Sequence, residues 1–146
     1  MERRVNQTAQ KFGYPNTAIA EYEHWLVLLR PQQVTLGSLV LVCKEPVLRF
    51  SEVSAAAFAE QHTVVGDIEA ALQACYEYDK INYLMLMMVD PDVHYHVIPR
   101  YADPRDFAGQ QYVDAGWPGP PALAEFVDAP IAELTASLKE RWPANG

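Results

Sequence analysis

The sequence is poor in basic side chains, with 11 Lys and Arg against 19 Asp and Glu and a formal net charge of −8. A chain with this balance repels the phosphates of nucleic acids and the anionic surface of a membrane. The composition therefore argues against a nucleic-acid coat and against a general membrane-surface binder. It leaves open a small anionic ligand that a few local cations hold.

Long apolar runs are also missing. The most apolar stretch, INYLMLMMV, covers only residues 81–89, whereas a helix that crosses a bilayer needs roughly 20 apolar residues. The N-terminal stretch MERRVNQTAQKFGYP carries two arginines with no apolar run behind them, so it resembles neither a signal peptide nor a membrane anchor. We expect a soluble, cytoplasmic protein.

Cysteine is scarce, and several familiar motifs are missing. Cys43 lies in an apolar strand pattern and Cys75 in a helical one, without CxxC spacing. We interpret them as two buried, reduced thiols, with a disulfide as the alternative. No GxxxxGK loop is available to hold phosphates. Glu21 and Glu23 have no carboxylate partner that would suit glycosidase chemistry.

Short runs rich in valine, leucine and aromatic residues predict β-strands. The predicted strands are TAIAEY, HWLVLLR, SLVLVCK, INYLMLMMV and residues 92–98. INYLMLMMV is expected to be buried on both faces, with its methionines filling the core. A tight turn at Asp90-Pro91 is expected to join it to residues 92–98 as a hairpin.

Two segments have helical spacing. Apolar residues recur at steps of three and four between residues 54 and 79, which predicts an amphipathic helix with Ser54 as its N-cap. After residue 99, prolines and glycines predict an irregular surface loop, and a last helix begins at Pro130. The order of elements predicts one α+β domain over residues 1–146, built on a mainly antiparallel sheet.

Two of the four histidines, His94 and His96, are separated by a single residue. Successive strand side chains point to opposite faces, so both imidazoles share one face with Asp92, opposite an apolar row. We expect Pro99 to end the strand ladder and Arg100 to lie close to the imidazoles.

Paired histidines on a strand have three physical uses. They chelate zinc or copper if another residue supplies a further ligand, for which His24, His62 and Asp92 are the candidates. They catalyse phosphoryl transfer if one ring attacks as the neutral base and its neighbour donates a proton or hydrogen bond. They are otherwise two satisfied surface histidines. Outside a metal site, we expect His62 to be packed and His24 to face solvent.

The wider string resembles the histidine triad (HIT) family of nucleotide hydrolases and transferases. DVHYHVIPR is similar to the family's three alternating histidines followed by proline and arginine, with aspartate in the first place. EHWLVLLRPQQVTLGSLVLVCKE is similar to the family's strand, loop and glycine-containing entry to the next strand, and KINYLMLMM to the strand before the triad. The resemblance covers residues 17–101, whereas the loop and tail helix of residues 102–146 match no such motif.

The resemblance implies a role for each matched residue. His94 matches the central histidine, which attacks the α-phosphorus and becomes nucleotidylated, and His96 matches the last one, which contacts the phosphate oxygens. Asp92 stands where the family has its first histidine, and Ser38 stands where many relatives have a fourth. Both departures fall on supporting residues. The attacking ring is expected to be oriented by donating its Nδ1–H to a backbone carbonyl of the strand.

The surroundings of a substrate are also implied. Arg100 and Arg30 are candidates for binding phosphoryl oxygens, with a solvated charge as the alternative at Arg30. Leu28 and Asn82 could frame the base and ribose, although apolar strand residues such as Leu28 also suit the core. No built-in metal is required, and Mg²⁺ is compatible with a polyphosphate substrate. The resemblance further implies a homodimer, for which WLVLL and the long helix would offer surface.

The function implied is a nucleoside phosphate hydrolase or nucleotidyl transferase. It would act on a dinucleoside polyphosphate or nucleoside phosphoramidate through a covalent nucleotidyl-histidine. The alternatives are a nucleotide-binding protein without turnover and a metal-binding protein. The Asp92 carboxylate, at ~7 Å along the strand, should favour protonated His94. Replacing it, as in Asp92→Asn, should then move the acidic limb of the pH–rate profile to lower pH.

Overall fold

A computed structural model describes residues 6–143 of the chain, and an antiparallel sheet of five strands lies at its centre. The strand order is β1-β2-β4-β6-β5, and each neighbouring pair is antiparallel. The predicted α+β class and mainly antiparallel sheet are confirmed. The elements are α1 (Gln7–Lys11), β1 (Ala18–Glu21), β2 (Trp25–Leu29), β3 (Gln32–Gln33), β4 (Leu39–Cys43), α2 (Ala55–Tyr76), β5 (Lys80–Leu84), β6 (His94–Arg100), β7 (Arg105–Phe107), β8 (Gln110–Tyr112), β9 (Val127–Asp128) and α3 (Ile131–Glu140).

The sheet separates two apolar layers, because neighbouring residues of β2 point to opposite faces. Trp25, Val27 and Leu29 pack in the larger layer with α2 and α3. Leu26 and Leu28 pack in the smaller layer with residues of α1. All five residues of β2 are buried. The WLVLL segment therefore offers no surface to a partner chain, contrary to the expectation from the sequence.

Helix α2 begins where its N-cap was predicted. The Oγ atom of Ser54 accepts a hydrogen bond from the backbone N–H three residues later, at 3.0 Å. Ile68 and Leu72, which belong to the predicted row of apolar residues at steps of three and four, are fully buried. Phe58 and His62 are exposed instead, because the buried stripe is completed by alanines and a valine on the adjoining side of the helix. The prediction of a packed His62 is therefore wrong.

INYLMLMMV does not form a strand buried on both faces. Only its first part belongs to β5, which lies at the edge of the sheet and has exposed or half-buried residues. Met88 and Val89 are 85% and 80% exposed. β5 does pair with β6, but a loop over residues 85–93 replaces the predicted tight turn. An apolar composition suits an edge strand and its loop as well as a buried strand, so composition did not separate the two.

Pro99 does not end the ladder, because β6 continues to Arg100 and Pro99 is paired with Ile81 of β5. The carbonyl of Pro99 accepts a hydrogen bond from the hydroxyl of Thr35, just before β4. The N–H and C=O of one strand residue point to the same side. The nitrogen of Pro99 therefore faces the side of β4, beyond the residue at which β4 begins. No strand residue there needs an N–H from position 99, so proline costs the sheet no hydrogen bond.

The C-terminal third contains more regular structure than the predicted irregular loop. β7 and β8 form a hairpin, and β9 pairs with β3. The last helix is confirmed as α3, with Leu134 and Leu138 fully buried. Both cysteines are free thiols; Cys43 is buried, whereas Cys75 is only half-buried. No helix within residues 6–143 is long and apolar enough to cross a membrane.

Candidate active site

His94 and His96 lie side by side on the sheet face that α1 covers. They are opposite Val42 and Val40 of β4, respectively. Their ring centroids are 5.2 Å apart, and the ring planes are nearly perpendicular at 82°. The two imidazoles therefore share one face, as the strand alternation predicted.

A backbone carbonyl holds the ring of His94. Its Nδ1 lies 2.7 Å from the carbonyl oxygen of Asp92. A carbonyl oxygen only accepts hydrogen bonds, so Nδ1 must carry a proton. In the neutral ring, Nε2 then keeps its lone pair. The strand thus selects the tautomer in which Nε2 is a nucleophile, in agreement with the orientation expected from the resemblance.

His96 is held in its neutral form. Burial, reinforced by the neighbouring His94 and Arg30, lowers its pKa from the ordinary value of 6.5 to about 4. Its buried Nδ1 finds no hydrogen-bond partner within residues 6–143. A ring in this state donates one hydrogen bond but carries no positive charge at neutral pH. In the free protein, the neighbouring ring is therefore not the protonated acid that paired-imidazole catalysis could use.

Both imidazoles line a cavity of about 250 Å³. Its walls come from parts of the chain that are far apart in sequence: the C-terminal end of α1, the residues after β2, the loop between β5 and β6, and Leu123. Lys11 and Arg30 add cationic groups to this wall, and Asp90 adds one carboxylate. The cavity therefore combines a nucleophilic ring with cations, which suits an anionic ligand.

Arg30, a candidate for binding phosphoryl oxygens, lines this cavity. Its Nη1 donates to the carbonyl of Gln32 at 2.6 Å. Its buried Nε has no partner in the described part of the chain, and burial lowers the pKa of the guanidinium. A partly desolvated guanidinium with unused donors gains more from an anion than one that is fully hydrated. Lys11, the second cation, already lies 2.8 Å from Asp90.

Asp92 does not present its carboxylate to the cavity. The residue is 1% exposed. Its Oδ2 accepts the backbone N–H of Thr8 at 3.0 Å, and its own N–H donates to the hydroxyl of Thr8 at 3.1 Å. The backbone carbonyl of Asp92 contacts His94, while its carboxylate contacts α1.

Ser38 and Leu28 lie outside the cavity, although both were candidates. The Ser38 hydroxyl accepts the N–H of Thr35 at 3.0 Å and donates to its carbonyl at 2.8 Å, which closes a turn before β4. Leu28 is fully buried in the layer between the sheet and α1. The side chain of Ser38 is too short to reach beyond its own turn, and Leu28 is a core residue.

Arg100 was expected near the imidazoles and Asn82 beside the base and ribose, but Arg100 lies at the other end of β6 and Asn82 lies beside it on β5. Arg100 forms an ion pair with Asp114 at 2.7 and 3.0 Å, and its Nη1 donates to Asn82 at 2.8 Å. Both residues line a separate cavity of about 450 Å³ beside Trp117. Arg100 is four positions after His96 along the strand, which corresponds to ~13 Å. The prediction of a guanidinium from Arg100 beside the rings is wrong.

The residues best placed to bind a metal ion are not the two imidazoles of β6. Within residues 6–143, Glu23, His24 and Glu60 form the one group whose ligand atoms all lie within 4.8 Å of one another. His94 and His96 are not part of it. The carboxylate of Glu60 already accepts the N–H groups of Glu23 and His24 at 3.2 and 2.7 Å. His24 is half-buried there rather than solvent-facing.

Helix α1 was missed in the sequence, and with it Lys11 and Phe12. The Phe12 ring lies 5.9 Å from the His96 ring and 6.4 Å from the His94 ring, measured between centroids. A signal was present: Asn6 caps α1, and its Oδ1 accepts the N–H of Ala9 at 2.8 Å. Asparagine is a favoured N-cap residue, and in the residues that follow it the apolar Ala9 and Phe12 are three positions apart. This pattern is typical of the start of a helix with one apolar side.

The fold is that of histidine triad proteins. A histidine triad protein from Bradyrhizobium japonicum superposes with a TM-score of 0.75 at 18% identity, covering 97% of this chain and 99% of its own. One from Sinorhizobium meliloti gives 0.73 at 20% identity, covering 94% and 96%. A hypothetical histidine triad nucleotide-binding protein from Sulfolobus tokodaii gives 0.63 at 16%, covering 86% and 82%. No family model and no curated protein matches the sequence.

Proposed function

We propose that this protein is a nucleotide hydrolase or nucleotidyl transferase of the histidine triad type. The observation that carries the proposal is the 2.7 Å contact between His94 Nδ1 and the Asp92 carbonyl. It leaves Nε2 with a lone pair on a ring that lines a cavity with two cations. The fold shared with histidine triad proteins supports the same assignment.

The proposed reaction is a double displacement. The Nε2 lone pair of His94 forms an N–P bond to the α-phosphorus, and the bond from phosphorus to the leaving group breaks. The leaving group departs with the bonding electrons and is protonated by solvent. Water then attacks the same phosphorus and loses a proton to solvent. The N–P bond breaks, its electron pair returns to Nε2, and the neutral imidazole is restored. If the acceptor is another nucleophile instead of water, the same steps give transfer.

His96 and Arg30 are proposed to bind the phosphoryl oxygens. Neutral His96 donates one hydrogen bond, and Arg30 supplies positive charge through donors that the protein leaves unused. Negative charge that develops on the phosphoryl group favours the protonated form of the nearby His96 ring. It therefore raises the His96 pKa, which burial lowers in the free protein. The His96 ring can then take up a proton late in the reaction, although it is neutral in the free protein.

The proposed substrates are dinucleoside polyphosphates or nucleoside phosphoramidates. The Sulfolobus tokodaii protein of the same fold is described as nucleotide-binding, which supports a nucleotide as the ligand. We propose no resident metal, with Mg²⁺ accompanying only a polyphosphate substrate. A chelator should then leave cleavage of a phosphoramidate unchanged. Loss of that activity on chelation, and its return with a metal ion, would contradict this part of the proposal.

The covalent intermediate provides the direct test. The protein is mixed with a nucleoside phosphoramidate, quenched in base because phosphoramidates are acid-labile, and measured by intact mass. We expect one nucleotidyl adduct, which His94→Ala abolishes. His62→Ala is the matched control, because His62 is exposed on α2 and should leave the adduct unchanged. Turnover that persists in His94→Ala would overturn the mechanism.

A nucleotide-binding protein without turnover is the second candidate. Its support is that the side chains of Asp92 and Ser38 are bonded away from the cavity. By the resemblance, Asp92 stands in place of the first triad histidine and Ser38 stands where many relatives have a fourth. Such a protein would be stabilised by nucleotide but would form no adduct and release no product. The mass experiment separates the two functions, since only the enzyme becomes modified.

The resemblance alone supports a homodimer and a cytoplasmic location, and we propose both. Since β2 and the apolar side of α2 are buried within the chain, a dimer must use other surfaces. Light scattering over a range of concentrations tests the oligomeric state. A mass that stays at the 16.4 kDa of one chain would exclude the dimer.

A further inference from the structure

Helix α1 needs an anchor, because it is only five residues long. Isolated helices shorter than ~12 residues are marginal in water. Ala9 and Phe12 add apolar contacts with the sheet, but such contacts do not determine how the helix is turned about its axis. Directional bonds to α1 must therefore set its position.

Asp92 supplies two of these directional bonds. The caps of α1 supply others, because Asn6 donates to the carbonyl of Cys43 at 3.0 Å and the carbonyl of Phe12 accepts the Thr17 hydroxyl at 2.7 Å. Its carboxylate accepts the Thr8 N–H at 3.0 Å, and its N–H donates to the Thr8 hydroxyl at 3.1 Å. Thr8 and Asp92 are 0% and 1% exposed, so water competes little for either bond. The carboxylate also suits the first turn of a helix, where unpaired N–H groups carry partial positive charge. Two reciprocal bonds thus join α1 to the segment just before β6.

The end of α1 forms part of the cavity wall over the imidazoles. The Phe12 and His96 rings are nearly perpendicular, with their centroids 5.9 Å apart. Lys11 lies 5.8 Å from the centroid of Phe12 and 2.8 Å from Asp90. A shift of α1 would therefore move an aromatic wall and a cation together.

We propose that Asp92 is a positioning residue, whose carboxylate anchors α1 so that Phe12 and Lys11 cover the two imidazoles while its carbonyl orients His94. The side chain at the place of the first triad histidine would then act through the helix and not by contact with the substrate. The anchoring is independent of the reaction, whereas its effect on catalysis rests on the proposed function.

The pKa of His96 is a measure of whether Asp92 holds α1 in place. The groups that face it are His94 on β6, Arg30 after β2, Lys11 at the end of α1, and Asp90 in the loop before β6. Burial is the largest cause of its low pKa, and the Lys11 charge acts in the same direction. Displacing α1 admits water and removes that cation, so the pKa of His96 should rise toward its ordinary value.

Two substitutions at position 92 distinguish the effect of the hydrogen bond to α1 from the effect of the negative charge. Asp92→Asn keeps an oxygen that accepts the Thr8 N–H but removes the charge, whereas Asp92→Ala removes both. We expect the pKa of His96, measured by NMR of its ring, to rise by more than one unit in Asp92→Ala and by less than half as much in Asp92→Asn. With substrate, Asp92→Ala should raise KM about tenfold with a smaller effect on kcat, and Asp92→Asn should recover most of that loss.

Thr8→Ala gives a second measurement if Asp92→Ala does not fold. It removes the hydroxyl that accepts the Asp92 N–H and leaves the carboxylate in place, so the pKa of His96 should rise by an intermediate amount. Thr63→Ala, on the exposed side of α2, is the control and should not change it. Equal effects of Asn and Ala at position 92, together with an unchanged pKa in Thr8→Ala, would overturn the proposal and favour a direct effect of charge. The expected NMR pattern without any turnover would instead retain the anchor and reject the proposed enzyme.

Discussion

At the scale of single residues, the two imidazoles differ in what holds them. His94 is tied to a backbone carbonyl at 2.7 Å, whereas the Nδ1 of His96 is buried without a partner in the described chain. The same residue type therefore has two different states 5.2 Å apart. One ring has a selected tautomer, and the other has a lowered pKa.

The lowered pKa of His96 makes stability depend on pH. In the unfolded chain the ring has its ordinary pKa of 6.5, and in the folded protein the pKa is about 4. The folded state thus binds fewer protons between these values, so this contribution to stability is complete above pH 6.5 and is lost as the pH falls toward 4. We expect a larger loss of unfolding free energy between pH 7.5 and 5 in the wild type than in His96→Gln, measured by urea unfolding. The same pH dependence in both proteins would contradict the assignment.

Arg30 should dominate the electrostatic binding of an anionic ligand. A charged hydrogen bond contributes ~1.5–3 kcal/mol, so Arg30→Met should weaken nucleotide binding by about 10-fold to 100-fold in calorimetry. Arg49→Met is the matched control, because the Arg49 side chain is 79% exposed and lies 3.8 Å from Glu52. Equal losses in the two variants would mean that only the net charge matters.

At the scale of elements, the turn that leads into β4 depends on close contact with α2. Gly37 has a φ of +87°, and an added Cβ would lie 2.9 Å from side-chain carbons of Leu72 and Tyr76. Gly109, between β7 and β8, has a φ of +79°, but a Cβ added to it would have no neighbouring atom within 4 Å. The two glycines share the backbone conformation and differ in the space around them.

This pair allows backbone strain and overpacking to be measured separately. Gly109→Ala should cost about 1–2 kcal/mol from the left-handed backbone alone. Gly37→Ala should cost roughly 1–3 kcal/mol more, because α2 or its side chains must move. Urea unfolding of both variants measures the difference. If both variants lose the same stability, the turn is not packed against α2 as tightly as the distances indicate.

At the scale of the whole molecule, the cavity is assembled from segments separated by more than 100 residues, from Lys11 to Leu123. A ligand that bridges these segments binds only the folded chain and should stabilise the fold as a unit. At 100 times its Kd, a nucleotide should add ~2.7 kcal/mol to the unfolding free energy. His94→Ala should retain this gain, because the variant lacks the nucleophile but keeps Arg30 and the other walls. A single thermal transition that rises with nucleotide concentration is the expected result, and an unchanged midpoint would argue against binding.

Periodic local patterns predicted much of the fold. The alternation around His94, the three-and-four spacing within α2 and the Ser54 cap each depend on residues a few positions apart, and all three are present. Predictions based on composition alone were less successful. The apolar letters of residues 85–89 suited a buried strand and a loop equally well, and the structure has a loop.

The sequence by itself determined that two imidazoles leave one strand on the same face, because side-chain direction in a strand follows from backbone geometry alone. It also made a carbonyl available to His94, since each strand residue carries one. Only the tertiary structure decided which groups meet across the chain: Asp92 binds Thr8, Arg100 pairs with Asp114, and Arg30 reaches the cavity. A carboxylate or guanidinium takes whichever partner packing brings within hydrogen-bond distance, and that choice is not encoded in its neighbours along the sequence.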